Sequence, residues 1–243
     1  KRHYEFWGGF TGEAPSPNRT MIWKFTWIAR LFGLTFAVKY MEKGEEKAQV
    51  NYKQFADTIA EAEKIAQDEN DHENELVNMI DEERLRYVGS IVLGLNDALV
   101  ELTGALAGFT LALRDSRLIA IIGLITGVAA ALSMGASEYL STKAESGEER
   151  TPGKAAIYTT IAYILTVGVL IGPFFLIANP LPALGCTVIA ALLIIMAFTY
   201  YVSVAQDLSF WKRFLEMAGL SLGVAVLSFG IGFLLQRFVG IET

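Results

Sequence analysis

The sequence predicts an all-α integral membrane protein with five transmembrane helices that follow a polar helical module. Hydrophobic residues make up 53% of the chain and charged residues only 19%, an apolar share above that of ordinary soluble domains. The charges are also unevenly distributed, since residues 42–86 hold a dense mixture of acids and bases whereas residues 155–206 hold none. We therefore divide the chain into a polar module at residues 1–86 and a membrane domain at residues 87–243.

Five apolar segments follow the polar module, and each is long enough to cross a bilayer. Each has about 20 residues or more, sufficient for a hydrocarbon core of roughly 30 Å. The predicted spans are residues 88–113, 117–142, 155–178, 181–203 and 214–238. The start of the first span lies on one side of the membrane, together with one end of each other span. The basic residues next to the spans are more numerous on that side than on the opposite side. The positive-inside rule then places the polar module in the cytoplasm.

Residues 1–41 combine turn formers with an apolar helix signal. The opening KRHYEFW has the pattern of a helix end that stops at the following glycine pair, so we expect further residues before Lys1. Residues 21–41 are long and apolar, but lysine and arginine interrupt them and two tryptophans lie in their first half. Two interpretations remain open for this segment: a helix that lies at the membrane interface, or an amphipathic helix packed within a bundle.

The net charge indicates which partners the protein can have, and the cysteine content excludes two kinds of bond within the chain. The net charge is −6, and most of the excess acid lies in the polar module, which argues against nucleic acid and favours cations. A single cysteine, Cys186, can form neither a disulfide nor a thiolate metal cluster within one chain.

Acidic residues inside the first two apolar segments are the main functional signal. Asp97 and Glu101 lie four residues apart in LGLNDALVELTGALAGF and share one helical face. Ionised carboxylates are costly in hydrocarbon, so they either coordinate ions on a pathway or pair with another helix. In the second segment Met134 and Glu138 repeat the spacing. A thioether beside carboxylates suits Fe²⁺ or Mn²⁺ better than Ca²⁺ or Mg²⁺, although an isolated Met in an apolar helix is more often core filler.

Two stretches, LGLNDALVELTGALAGF and LSMGASEYLSTKAE, resemble the vacuolar iron transporter family, and the resemblance extends over residues 88–238. It implies a homodimer of five-span subunits that moves Fe²⁺, with Mn²⁺ as a second candidate ion, out of the cytoplasm in exchange for protons. It places Asp97 and Met134 on the transport pathway, and we add Glu101 and Glu138 to it. Plant-type members carry a Glu where this chain has Thr126, and a metal-binding domain where it has only KAESGEERTPGK.

Glycines at four-residue spacing indicate close helix packing in the first and last spans. Gly104 with Gly108, and Gly219 with Gly223, would let helix backbones approach one another. Combined with the dimer that the family resemblance implies, this spacing predicts that Gly104→Leu weakens a homodimer.

The polar module carries a second resemblance. GEEKAQVNY followed by DENDHENEL is similar to the ferritin-like, rubrerythrin-type pattern of a helix Glu and then Glu-x-x-His. It implies a partial ferritin-like module in which Glu45, Glu69 and His72 bind iron or manganese at a di-iron type of site. His3 would belong to a second Glu-x-x-His whose Glu precedes Lys1. A solvated charged helix face is the alternative interpretation of these residues.

The ferritin-like resemblance also supplies the alternative function, a membrane-anchored di-iron ferroxidase or peroxidase. The position of the acids distinguishes the two functions, because a simple membrane anchor needs no carboxylates inside its spans. The sequence therefore favours a transporter of divalent metal ions.

Overall fold

The computed structural model describes residues 18–41, 86–145 and 150–239. Of these residues 91% are helical and none lies in a β-strand, which confirms the predicted all-α fold class. The predicted ligands of the ferritin-like module, His3, Glu45, Glu69 and His72, lie outside the described ranges.

The described chain contains five helices that are long and apolar enough to cross a membrane. A shorter helix, α1, precedes them. Their bounds are Arg19–Phe32 for α1, Val88–Leu113 for α2, Ser116–Ala144 for α3, Pro152–Leu176 for α4, Pro180–Ala205 for α5 and Phe210–Val239 for α6. The five predicted spans match α2 to α6 closely, and the largest difference is at α6, which begins at Phe210 instead of residue 214.

Individual residues define the end of α2 and the starts of α3 and α4. Arg114 ends α2 in the left-handed region with a φ of 52°. Asp115 then caps α3, because its carboxylate accepts a hydrogen bond of 2.8 Å from the backbone N–H of Leu118. Pro152 occupies the start of α4, where its missing N–H costs nothing. The short turn between Leu113 and Ser116 keeps α2 and α3 adjacent.

The outer surface of α3 to α6 is apolar. Ile125, Leu165, Val226 and Leu227 are each about two-thirds exposed, at 67%, 66%, 70% and 68%. Large aliphatic side chains exposed on every helix are unfavourable in water but match the hydrocarbon of a bilayer. Together with the five long apolar helices, this surface identifies a multi-pass integral membrane protein.

A stripe of small residues on α3 forms its contact with α4. Gly123, Gly127, Ala131 and Gly135 follow one another at four-residue intervals, and all are buried. A Cβ atom added to Gly127 would lie 2.8 Å from the Val167 side chain, and one added to Gly135 would overlap Thr160. The two helix backbones therefore approach closely enough that only small side chains fit between them.

Gly104 and Gly108 pack α2 against α6 of the same chain. A Cβ atom on Gly104 would lie 2.8 Å from Val224, and one on Gly108 would lie 3.2 Å from the carbonyl oxygen of Ser228. The predicted close approach at this pair is real, but the contact lies within one subunit, so Gly104→Leu is the wrong probe of a dimer. Gly219 and Gly223, by contrast, have open space where their Cβ atoms would be.

Residues 18–41 belong, with residues 201–207, to a separate compact unit. The predicted helix over residues 21–41 is not continuous, because α1 ends at Gly33 and residues 34–41 form a second helical stretch. Gly33 has a φ of 98°, a backbone conformation that favours glycine, and its N–H donates to the carbonyl oxygen of Ala29. Within this unit Lys39 forms an ion pair with Asp207.

Candidate functional site

A π-helical turn interrupts α2 at the two acids. Residues Ala98–Leu102 form this turn, which begins directly after Asp97 and contains Glu101. Widening the helix by one residue disturbs the regular pattern of backbone hydrogen bonds, and such turns are frequent at functional sites. The carbonyl oxygen of Leu99 accepts a hydrogen bond of 2.8 Å from the hydroxyl of Ser221, which lies on α6 and is 1% exposed. A side chain of another helix thus satisfies a backbone group of the turn.

Tyr163 joins the acids from the neighbouring helix α4. Its side chain is fully buried, and its hydroxyl donates a hydrogen bond of 3.0 Å to Oε2 of Glu101. The Asp97 carboxyl group lies directly before the π-helical turn on α2, near enough to Glu101 for the charges of the two acids to influence each other. Two carboxyl groups and one phenol therefore meet about midway along α2. We call Asp97, Glu101 and Tyr163 the central group.

The two acids of the central group differ in exposure. Asp97 is half-buried. Glu101 is exposed on the outside of the helical bundle that one chain forms. An ionised carboxylate at mid-span that faced lipid would be unfavourable by roughly 3 kcal/mol on insertion scales, and by more in simulations. In the membrane, Glu101 is therefore more stable facing water, an ion or another protein surface than facing hydrocarbon.

Glu138 lies in a second polar group near the start of α2. It is 8% exposed, and its Oε1 accepts a hydrogen bond of 2.7 Å from the Ser90 hydroxyl. The guanidinium of Arg150 approaches the same oxygen to 3.9 Å and binds Glu145 at 2.7 Å. We call Ser90, Glu138, Glu145 and Arg150 the outer group. Glu138, the buried acid of the outer group, has both a hydroxyl donor and a positive counter-charge.

The structure keeps the two groups apart along α2. Ser90 precedes Asp97 by seven residues, which corresponds to about 10 Å along a helix axis. Among the described residues, no three His, Cys, Asp or Glu side chains come together as ligands for one metal ion. Glu138 is thus not placed beside Asp97 and Glu101, and the acids form two successive levels instead of one cage.

The remaining sequence-predicted positions have simpler surroundings. Met134 is half-buried on α3 and packs against the hydrophobic core, one turn before Glu138. Thr126 is exposed and donates its hydroxyl hydrogen to the carbonyl oxygen of Ile122. Its side chain is therefore occupied by its own helix.

Sequence reasoning missed three residues of these groups, Ser90, Arg150 and Tyr163, and it also missed Ser221, which supports the π-helical turn. A tyrosine in the middle of an apolar span was a usable signal for Tyr163, because a buried phenol requires a hydrogen-bond partner. Arg150 lies in a short polar loop, where a basic residue gives no local sign of a partner. No local pattern marks Ser90 or Ser221, since their partners lie on other helices.

Carboxylate and phenol oxygens are suitable ligands for divalent cations. Acids at two depths of a five-span bundle define the protein as a multi-pass membrane protein with a candidate ion pathway. Residues 88–151 match the model of the VIT family, and this range includes both acids of the central group and all of the outer group. The match supports the resemblance to vacuolar iron transporters and indicates membrane transport of metal ions. Comparison with curated proteins gave no match.

Proposed function

We propose that this protein is a homodimeric transporter that moves Fe²⁺, with Mn²⁺ as a second substrate, out of the cytoplasm in exchange for protons. The central group is the observation that carries the proposal. Asp97, Glu101 and Tyr163 converge at a π-helical turn midway through a span. A helix that served only as a membrane anchor would not need this arrangement. Two acids inside its span would make its insertion less favourable.

The two polar groups serve successive steps of the crossing. A cation that enters near the start of α2 meets the carboxylate of Glu138 first and the central group about 10 Å further on. At each level, carboxylate oxygens replace part of the water that the ion loses. Met134, one turn from Glu138, adds a thioether, which favours Fe²⁺ and Mn²⁺ over Ca²⁺ and Mg²⁺.

The homodimer supplies a cover for Glu101. Glu101 is exposed in the single chain although it lies at mid-span, and a second copy packed on this side of α2 would shield it from lipid. The pathway would then run between the two subunits and be lined by both copies of the central group. Gly219 and Gly223 on α6 leave open surface where a partner helix can approach closely.

Proton exchange follows from the chemistry of the same carboxylates. A carboxylate that has released its cation can hold a proton instead, so one site can carry metal in one direction and protons in the other. The basic residues near the start of α2 place that end on the cytoplasmic side by the positive-inside rule. With the outer group at the cytoplasmic end, the proposed route for metal begins there and ends on the opposite side, which is export.

The ferritin-like module remains a proposal, because Glu45, Glu69, His72 and His3 lie outside the described residues. We assign it the task of collecting metal ions for the pathway. Neutral imidazole is the form that binds metal, so binding by His72 weakens as the pH falls below about 6. If His72→Ala leaves the metal content of the protein unchanged on both sides of that pH, this assignment is wrong. The ferroxidase alternative also depends on these residues alone.

Flux measurements with purified protein in proteoliposomes test the proposal. We expect Fe²⁺ and Mn²⁺ to enter the vesicles, faster when the lumen is more acidic than the outside, while Ca²⁺ and Mg²⁺ enter at the rate of protein-free vesicles. Absence of Fe²⁺ flux under any pH gradient would contradict transport. Equal flux of all four ions would contradict the role of Met134 in selectivity.

A further inference from the structure

Helix α1 presents a stripe of arginine and tryptophan side chains. Arg19, Trp23, Trp27 and Arg30 follow at intervals of four, four and three residues, so they lie on one helical face. All four are exposed, Trp23 at 66% and Trp27 at 45%. We call these four residues the α1 stripe.

The side chains of the stripe also contact one another. The Trp23 and Trp27 rings meet edge to face with their centroids 6.1 Å apart, and the Arg30 guanidinium lies 5.9 Å from the Trp27 centroid. At this distance the arginine holds its charge beside an apolar ring. This combination suits a boundary between polar headgroups and acyl chains, where tryptophan and arginine are both enriched.

Large apolar side chains elsewhere on α1 are also exposed. Met21, Ile22 and Leu31 are 57%, 56% and 62% exposed, and no residue of α1 is fully buried. An amphipathic helix with large exposed aliphatic and aromatic side chains is typical of segments that lie in the plane of a membrane surface. Exposed apolar area of this extent is unfavourable in water.

The positive charge of α1 indicates which kind of surface this helix would bind. Residues 18–41 contain four basic residues and no Asp or Glu, although the chain as a whole has a net charge of −6. Lys39 is paired with Asp207, so Arg19, Lys24 and Arg30 provide the charge of α1 itself. A positively charged helix in an acidic protein is complementary to a negatively charged surface.

We propose that the α1 stripe binds the surface of a bilayer that contains anionic phospholipids. The guanidinium groups of Arg19 and Arg30 contact headgroup phosphates, and the indole rings of Trp23 and Trp27 lie at the level between headgroups and acyl chains. This resolves the two interpretations of residues 21–41 in favour of the membrane interface for α1. The proposal is independent of which ion the protein transports.

Tryptophan fluorescence of the full chain in lipid vesicles provides the test. Trp7→Phe and Trp211→Phe leave only Trp23 and Trp27 as reporters. Two vesicle preparations have the same mixture of phosphatidylglycerol and phosphatidylcholine and the same bromine content, but the quenching bromine atoms are on the acyl chains of one lipid or the other. We expect stronger quenching by brominated phosphatidylglycerol, since basic residues enrich anionic lipid around the helix.

The matched variants separate the stripe from other basic residues. Arg19→Gln with Arg30→Gln should lower the preference for phosphatidylglycerol by roughly fivefold for each arginine removed. Lys212→Gln with Arg213→Gln removes the same charge from α6 and should leave the preference unchanged. Quenching by neither lipid would show that protein covers the stripe and would overturn the proposal. So would equal quenching by both lipids, or a preference that survives the loss of both arginines.

Discussion

Tyr163 on α4 donates a hydrogen bond of 3.0 Å to Glu101 on α2, and its own side chain is fully buried. The tyrosine is therefore held in place by the core, while the carboxylate that it contacts lies on the exposed side of the bundle. The position of Glu101 thus depends on two helices. A single donor leaves the remaining lone pairs of the carboxylate available to a cation.

Tyr163→Phe should slow metal transport without unfolding the protein. The phenylalanine ring fills the same buried space, but Glu101 loses its donor. A hydrogen bond to a charged group contributes roughly 1.5 to 3 kcal/mol, so a fall in flux of about tenfold or more is expected. Tyr158→Phe is the matched control, because Tyr158 on the same helix stacks on Tyr87 through its ring. Parent rates in Tyr163→Phe proteoliposomes would remove Tyr163 from the central group.

Ser221→Ala should destabilise the π-helical turn. The Ser221 hydroxyl is the donor to the Leu99 carbonyl oxygen, and nearly the whole residue is buried. Loss of a buried hydrogen bond within a membrane bundle costs about 1 kcal/mol, which should lower the thermal unfolding midpoint in detergent. Ser133→Ala, at an exposed position, should leave the midpoint unchanged. Equal midpoints for both variants would show that the turn does not depend on Ser221.

Arg150→Gln should strengthen metal binding at the outer group. The Arg150 guanidinium lies 3.9 Å from Glu138 and competes with an incoming cation for its negative charge. Its side chain is 23% exposed, so solvent weakens this competition to about 1 kcal/mol, or roughly fivefold in the KM for Fe²⁺. Lys154→Gln removes an exposed charge nearby and should leave KM unchanged. A higher KM in Arg150→Gln would mean that Arg150 positions Glu138 instead of competing for it.

Gly135→Leu should prevent α3 and α4 from packing. Even a Cβ atom at Gly135 would overlap the Thr160 side chain, and the rest of a leucine would need further space. Overpacking of this kind typically lowers the free energy of unfolding by about 1 to 3 kcal/mol or more. We therefore expect a lower yield of folded protein. Gly168→Leu is the control, because open space surrounds the Cβ position there. Size-exclusion profiles in detergent that are the same for both variants would contradict the described α3–α4 contact.

Most of the architecture could be predicted from the sequence because the bilayer imposes it. Apolar length alone identified the five spans, and residues 155–206 without a charge left little ambiguity. The pair Asp97 and Glu101 could be singled out in the same way, since a carboxylate in an apolar span is unusual. These signals are local or compositional.

The unpredicted features depend on contacts between helices. The π-helical turn is supported by Ser221, more than a hundred residues away in the chain, and regular helix periodicity gives no hint of it. Glu138 was grouped with Asp97 and Glu101 by sequence, but its partner Ser90 fixes it at a different level of α2. Two local signals were overlooked: Tyr163 in the middle of an apolar span, and Gly33 within an apolar segment, where a glycine can end a helix.

Fe²⁺ flux into proteoliposomes by Glu101→Gln and Asp97→Asn, compared with Glu216→Gln and Asp115→Asn, tests the central claim most directly. Glutamine at position 101 can still accept the Tyr163 hydrogen bond, so Glu101→Gln should fold while it lacks the charge that compensates a cation. Glu216 is exposed on α6, and asparagine caps a helix as well as Asp115 does, so the controls should transport at the parent rate. The account predicts folded protein without flux for both central-group variants. Folded Glu101→Gln and Asp97→Asn proteins that carry Fe²⁺ at the parent rate would contradict it.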